Sequence, residues 1–174
     1  LESIELPASL TEIPNRGTEL FGTSKYYGLF SECSSLKRVT FEEGSKLTKI
    51  GNYAFSETAL ESFTFPSSVA SIGEFAFQNT KLTTLTIPAT VTSLGTQAFY
   101  GCEELVSVTL GSGIKTLPSG VFGNCYALTA FTVPATVTSI DSSAFSSCDA
   151  IDGFKVDPAN QSFRERDGVV YDLD

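Results

Sequence analysis

A right-handed solenoid of short stacked coils is the fold class the sequence predicts, mostly β and turn, with parallel strands on its concave face. Three observations predict it. One pattern of 22–24 residues recurs along nearly the whole chain, each copy opens on the apolar alternation of a strand, and a phenylalanine returns at the same phase in every copy. A fixed period of this length decides the architecture before any local preference does. A unit so short cannot bury its own apolar face and has to stack on its neighbours.

The segments LTTLTIPATVTSLGTQAFYGCEE from Leu82, LVSVTLGSGIKTLPSGVFGNCYA from Leu105 and LTAFTVPATVTSIDSSAFSSCDA from Leu128 share one pattern, LxxLxLPxxVxxIGxxAFxxCxx. Earlier copies begin at Leu1, Leu36 and Leu60, giving six, and an irregular last repeat begins at Ile151. The 174 residues therefore read as a single domain. Because the pattern is already running at Leu1 and the chain has no methionine, the sequence is expected to be a piece of a longer protein.

Each element of a copy has its own reason. The opening LxxLxL alternates with period two and carries β-branched residues at its outward positions, which suits a strand. Proline at 7, 66, 88 and 134 ends that strand, since it lacks the N–H a ladder needs. A second, shorter extended piece (VTSL, VTSI) follows, then a turn at Gly51, Gly73 and Gly95, then an AFxxC segment expected to form one helical or 3-10 turn. Stacking converts each pattern position into a column. Phe30, Phe55, Phe77, Phe99, Phe122 and Phe145 should form an aromatic core column. After Phe55 and Phe77 the next leucine comes one residue early, a slip expected at a surface turn.

The recurring Pro, Gly, Ala-Phe and Cys in phase from Leu1 to about Ile151 resemble the BspA-like, Treponema-type class of leucine-rich repeats. The tail FKVDPANQSFRERDGVVYDLD is similar to the terminal repeat of that family, with a hairpin turning at Asp167-Gly168. The resemblance implies a leucine-rich-repeat, α/β horseshoe-like solenoid, and a secreted or cell-surface bacterial protein that adheres to a protein or glycan on a host or neighbouring cell. It names no particular ligand. The chain departs from the pattern where Glu42 and Gly111 replace the proline and where Pro14, Pro118 and Asp141 replace the glycine.

Several function classes are disfavoured by composition. A net charge of −9 argues against nucleic acid, whose binding needs clustered Lys and Arg. No run approaches the roughly 18 apolar residues of a membrane-spanning helix, so no membrane insertion is expected. Histidine is absent, as are GxSxG, a phosphate-cradling glycine loop and an Asp-rich calcium loop, and the chain is expected to be no enzyme and to hold no cofactor or metal. Cys33, Cys102, Cys125 and Cys148 all fall at the third position after the Phe, where two other copies carry Thr58 and Thr80. A position that takes Cys or Thr asks for a small, buried, weakly polar side chain. Free thiols are therefore expected, ahead of a disulfide between neighbouring coils or a metal site.

Two features lie outside the core columns and supply the candidate ligand-binding residues. Thr40, Thr64, Thr86, Thr109 and Thr132 recur between the last two apolar positions of the strand and should form an exposed, uncharged stripe. Strand propensity with hydroxyls bonding between rungs explains such a stripe, and so does a binding face. The other feature is an insertion in the first copy. Ile13 and Phe30 are 17 residues apart where the pattern has five, which places 12 extra residues within 15–28, among them Phe21, Lys25, Tyr26 and Tyr27. Such a loop either recognises a partner or folds back over one end of the core. The functional expectation is a non-catalytic extracellular recognition module, with a structural spacer as the alternative.

Overall fold

Each copy of the pattern closes one coil, because the proline and the glycine bend the chain at fixed places and the apolar positions turn inward together. The computed structural model describes residues 1–16 and 27–173, side chains of Arg16 and Tyr27 excepted. The opening strands are Ser3–Leu6, Arg38–Phe41, Thr84–Ile87, Ser107–Leu110, Ala130–Val133 and Gly153–Val156. The second extended pieces form a parallel four-stranded ladder of Glu12–Ile13, Lys49–Ile50, Ser71–Ile72 and Ser93–Leu94, and Thr116–Leu117 pairs in the same way with Ser139–Ile140. Leu36, Leu60, Leu82, Leu105 and Leu128, which open their coils, are fully buried, whereas Leu1 is 67% exposed.

The phenylalanines stack as the phase requires. Ring centroids along the column from Phe30 to Phe145 are 5.3, 5.3, 5.3, 5.7 and 5.6 Å apart, with interplanar angles of 6–25°. Phe55, Phe77, Phe99 and Phe122 have no exposed surface. Gly73 shows why the adjoining corner needs glycine: a Cβ there would sit 2.6 Å from the Asn52 backbone nitrogen of the preceding coil.

The AFxxC segment departs from the helical or 3-10 turn expected of it. Among the described residues no helix forms; the segment is a run of turns, with bonds such as Ser56 N to Tyr53 O at 3.2 Å and Tyr100 N to Gln97 O at 3.1 Å. The reason is a left-handed residue on either side of the Phe. Tyr53, Phe75, Gln97 and Gly120, two residues before it, have φ of 53–58°, and Glu32, Glu57, Asn79, Gly101, Asn124 and Ser147, two residues after it, have φ of 54–70°. A left-handed residue breaks the helical ladder and turns peptide groups outward. Those groups bond the next coil: Tyr53, Phe55 and Glu57 donate to the carbonyls of Glu74, Ala76 and Gln78 at 2.9, 2.8 and 2.8 Å.

The opening strands do not form one continuous sheet. They pair as Ser3–Leu6 with Arg38–Phe41, Thr84–Ile87 with Ser107–Leu110, and Ala130–Val133 with Gly153–Val156. Residues 62–65 of the third coil adopt no strand, and no backbone hydrogen bond is made by their peptide groups among the described residues. Size at the first inward position explains the divisions. Paired coils match aliphatic with aliphatic or ring with ring: Ile4 with Val39, Leu85 with Val108, Phe131 with Phe154. Each break sets a ring against an aliphatic side chain, Val39 and Leu85 flanking Phe63, and Val108 meeting Phe131. Phe63 instead packs edge-on against Phe41, Phe65 and Phe77 at 4.8–5.7 Å. Packing the ring takes precedence over a ladder whose strands would lie about 4.8 Å apart.

The two ends are finished differently. Asn15–Arg16 pairs antiparallel with Tyr27–Gly28, so the chain leaves the first coil and returns to it through a two-rung stem. At the other end Phe163–Arg166 and Val169–Asp172 form the hairpin expected around Asp167-Gly168, both left-handed with φ of 54° and 78°. Phe154 N bonds Gly168 O at 2.9 Å and docks that hairpin on the last opening strand. Buried Asn160 fastens it as well: its Nδ2 donates to the Pro134 and Val137 carbonyls at 2.7 and 3.0 Å, and its Oδ1 accepts from Ser162 N and Phe163 N at 2.8 Å.

Two outcomes test this account. Phe77→Ala removes the ring stacked on both Phe55 and Phe99 and should cost about 3–5 kcal/mol in a denaturant melt. Phe63→Leu places aliphatic side chains on all three successive coils, and hydrogen exchange of the amides of 63–65 should slow by at least about tenfold as the ladder closes.

Candidate interaction surface

Thr40, Thr64, Thr86, Thr109 and Thr132 are all exposed on the face of the opening strands. Register aligns Thr86 with Thr109, Glu5 with Thr40 and Thr132 with Lys155. Only Thr40 among these five bonds another rung through its hydroxyl among the described residues, donating to Ile4 O at 3.5 Å. A different threonine column does that work: Thr48, Thr92 and Thr138, beside the second ladder, donate to the preceding coil at 3.0–3.4 Å. The other four threonines of the stripe make no such bond among the described residues. Where the sheet parts between the second and third coils, a depression of about 420 Å³ opens, with Thr40 and Thr64 on its walls beside Phe41, Glu42 and Phe65. Residues 62–65 bring unpaired peptide groups to this place.

Of the inserted candidates, Phe21, Lys25 and Tyr26 lie outside the described residues. Tyr27 is placed by its backbone alone, opposite Arg16 in the stem. Stem and stripe are on different parts of the coil, since the stem leaves from the end of the second ladder at Ile13 while Thr40 lies in an opening strand.

Cys102, Cys125 and Cys148 are buried in a core column, Cys33 is half-buried, and the partners of the buried three explain why Cys and Thr alternate there. Thr58 and Thr80 donate their hydroxyls to the carbonyls of Phe55 and Phe77 at 2.8 and 3.0 Å. Cys102, Cys125 and Cys148 donate their thiols to the carbonyls of Phe77, Phe99 and Phe122 in the preceding coil, at 3.3, 3.5 and 3.0 Å. The position supplies a donor to a buried Phe carbonyl, which costs stability if left unpaired. Burial pushes the Cys102 thiol up to about 11, the Thr80 hydroxyl offsetting part of the rise. Contact with the Cys148 thiol, with burial, also raises Cys125. Sequence reasoning reached the small-and-buried requirement but not the donor role.

Among the described residues no group of three or more Cys, Asp or Glu is placed to hold a metal ion, and no helix is long and apolar enough to cross a membrane. Residues 23–159 match the family described as BspA type leucine rich repeat region, in six copies. The chain belongs to that family. The BspA-type fold is shared with a leucine-rich repeat protein from Bacteroides ovatus, 27% identical, with a TM-score of 0.77 over 91% of this chain and 38% of that one. The leucine-rich repeat protein of T. pallidum is 28% identical, with a TM-score of 0.68 over 86% of this chain and 64% of that one. Pneumococcal vaccine antigen PcpA is 25% identical, with a TM-score of 0.62 over 99% and 35%. The chain thus spans little more than a third of the Bacteroides ovatus protein and of PcpA, 38% and 35% of their length. No curated protein is significantly similar to it.

BspA-type repeats are modules of protein interaction or of structure, and nothing described in this chain departs from that. The cysteine column gives a pH prediction. Cys102 has its folded pKa raised, so the stability it contributes is complete below about pH 9 and is lost as pH rises toward about 11. That loss amounts to about 2–3 kcal/mol at most. Cys102→Thr should leave stability at pH 7 nearly unchanged and remove part of the fall between pH 9 and 11 in urea melts; an identical pH profile in both proteins would refute the assignment.

Proposed function

We propose that this BspA-type domain is a non-catalytic recognition module that works at or outside a bacterial cell surface and binds protein or glycan through its open strand face. The observation that carries the reading is the parting of the sheet at the third coil. It leaves peptide groups of 62–65 unpaired and sets the exposed Thr40 and Thr64 hydroxyls on the walls of a cleft of about 420 Å³. Hydroxyls that both donate and accept, beside free main-chain groups and flanking rings, match the hydroxyls of a sugar or the backbone of a peptide. An uncharged stripe suits such ligands better than it suits phosphate, and the net charge of −9 points the same way. The extracellular location is supported by the likeness to PcpA, since an antigen used in a vaccine has to be within reach of antibody.

The test is binding to a glycan array and to an array of cell-surface proteins, with Thr40→Lys and Thr64→Lys made together. Both positions are exposed, so stability should stay within about 0.5 kcal/mol, while array signals should fall to background. Signals that persist in the double variant would remove the open face from consideration. An absence of signal from the unaltered protein would favour a spacer that holds another domain away from the cell.

A further inference from the structure

The turn that closes the second opening strand is longer than its counterparts in the next four coils. Phe41 and Leu47 are six residues apart, whereas Phe65 and Val69, Ile87 and Val91, Leu110 and Ile114, and Val133 and Val137 are each four apart. The two extra residues fall within 42–46, EEGSK, and Glu42 stands where four other copies have proline. This turn lies at the place where the opening strands part. Glu42, Gly44 and Ser45 line the depression of about 420 Å³ together with Thr40, Thr64 and Ser67. Gly44 is left-handed, with φ of 77°, and a Cβ there would meet nothing within 4 Å, so open space lies beside the turn.

The shape of the opening selects among ligands. Behind it the second and third coils stay bonded on both remaining sides, through Gly73 N to Ile50 O and Phe55 N to Ala76 O, each at 2.8 Å. They cannot separate to admit a strand, which would need about 4.8 Å on either side of itself. A hydroxyl or an amine is small enough to reach the unpaired peptide groups of 62–65. The volume lies within the range of about 300–1,000 Å³ usual for small-ligand sites. Half-buried Phe41 offers an apolar surface to the C–H face of a sugar ring, and the hydroxyls of Thr40, Ser45, Thr64 and Ser67 around it both donate and accept. Glu42 is the only charged side chain among the described lining residues, and Ala8 N holds it in place by donating to its Oε2 at 2.9 Å. Arg38 and Lys46 flank this stretch of chain but do not line the depression.

We propose that the cleft binds a glycan bearing a free amino group, a hexosamine whose nitrogen is not acylated. The inference rests on the open strand face being the binding surface and adds which ligand that face takes. The sugar ring packs over Phe41, and its hydroxyls exchange hydrogen bonds with Thr40, Thr64 and the main chain of 62–65. Its ammonium group pairs with the Glu42 carboxylate. Acylation of the nitrogen removes that charge, so the acetylated form of the same sugar binds less well.

The probe is a glucosamine tetramer labelled at its reducing end, titrated by fluorescence anisotropy against the unaltered protein. Saturable binding is expected. N-acetylation of the probe, or Glu42→Gln, which keeps an acceptor for Ala8 N, should weaken it about twofold to fivefold. Glu42→Gln should also reduce its salt dependence. Glu43→Gln, at the exposed neighbour outside the cleft, should leave affinity unchanged, which separates the pairing from general attraction to a chain of net charge −9. Thr40→Lys with Thr64→Lys should abolish binding. The proposal is overturned by any of three results: no saturable binding of the glucosamine tetramer, equal losses from Glu42→Gln and Glu43→Gln, or labelled tetralysine binding as tightly as the sugar and weakened by Glu42→Gln, which would make the occupant a basic peptide. If arrays still show a different ligand lost from the double threonine variant, the open face stands as the binding surface and only the amino sugar falls.

Discussion

No coil of this chain can satisfy its own backbone, and the rest of the structure follows from the way adjacent coils complete one another. In the second ladder a residue donates to the coil before it, as Gly73 N does to Ile50 O at 2.8 Å; in the turn ladder the Phe donates to the coil after it, as Phe77 N does to Ala98 O at 2.8 Å. Both kinds of bond run along the stack and fix each coil against two neighbours. Register follows from that. Once the turn ladder is set, the phenylalanines must lie one above another, and the residue three places on must supply a donor to a Phe carbonyl that the ladders do not use. Cys and Thr each do so, which is why the column tolerates both and why its thiols are core residues.

The opening strands are held less firmly, and there side-chain size decides. A ring at the first inward position can align with a ring, as Phe131 does with Phe154, or withdraw from the ladder, as Phe63 does between Val39 and Leu85. The coil stays in the stack because the turn ladder still binds it: Phe55 N bonds Ala76 O at 2.8 Å behind the place where the sheet parts. A fold with three lines of hydrogen bonds between coils can therefore give up one of them locally. At the third coil this leaves a cleft with Thr40, Thr64, Phe41 and Phe65 on its walls and unpaired main-chain groups beside it.

How much of this could be read beforehand varied with the kind of interaction. Period, phase and inward-facing positions were legible because each is repeated six times, and Asp167-Gly168 was legible because a two-residue loop with positive φ has few sequence solutions. The turn segment was misread. AFxxC has the composition of a helical turn, and the signal against it was the column Asn79, Gly101, Asn124 two places after the Phe, residues suited to left-handed backbone. The divisions in the sheet were beyond a reading of single copies, because they arise from comparing Phe63 and Phe131 with the coils on either side. Asn160 was passed over for a related reason: one polar residue in an irregular tail carries no period, and its four partners come together only in three dimensions. Of the candidate site, the exposure of the threonine stripe was legible, and the cleft that interrupts it was not.

Recognition and repetition make opposite demands on such a chain. Every inward position is constrained from two sides, so a residue that changes there disturbs both neighbours, and variation useful for binding has to be found where a coil lacks a partner. Such a place lies where a ring, Phe63, interrupts the opening strands and leaves peptide groups unpaired beneath exposed threonines. Unsatisfied backbone, more than any particular side chain, marks where this solenoid can still form an interface.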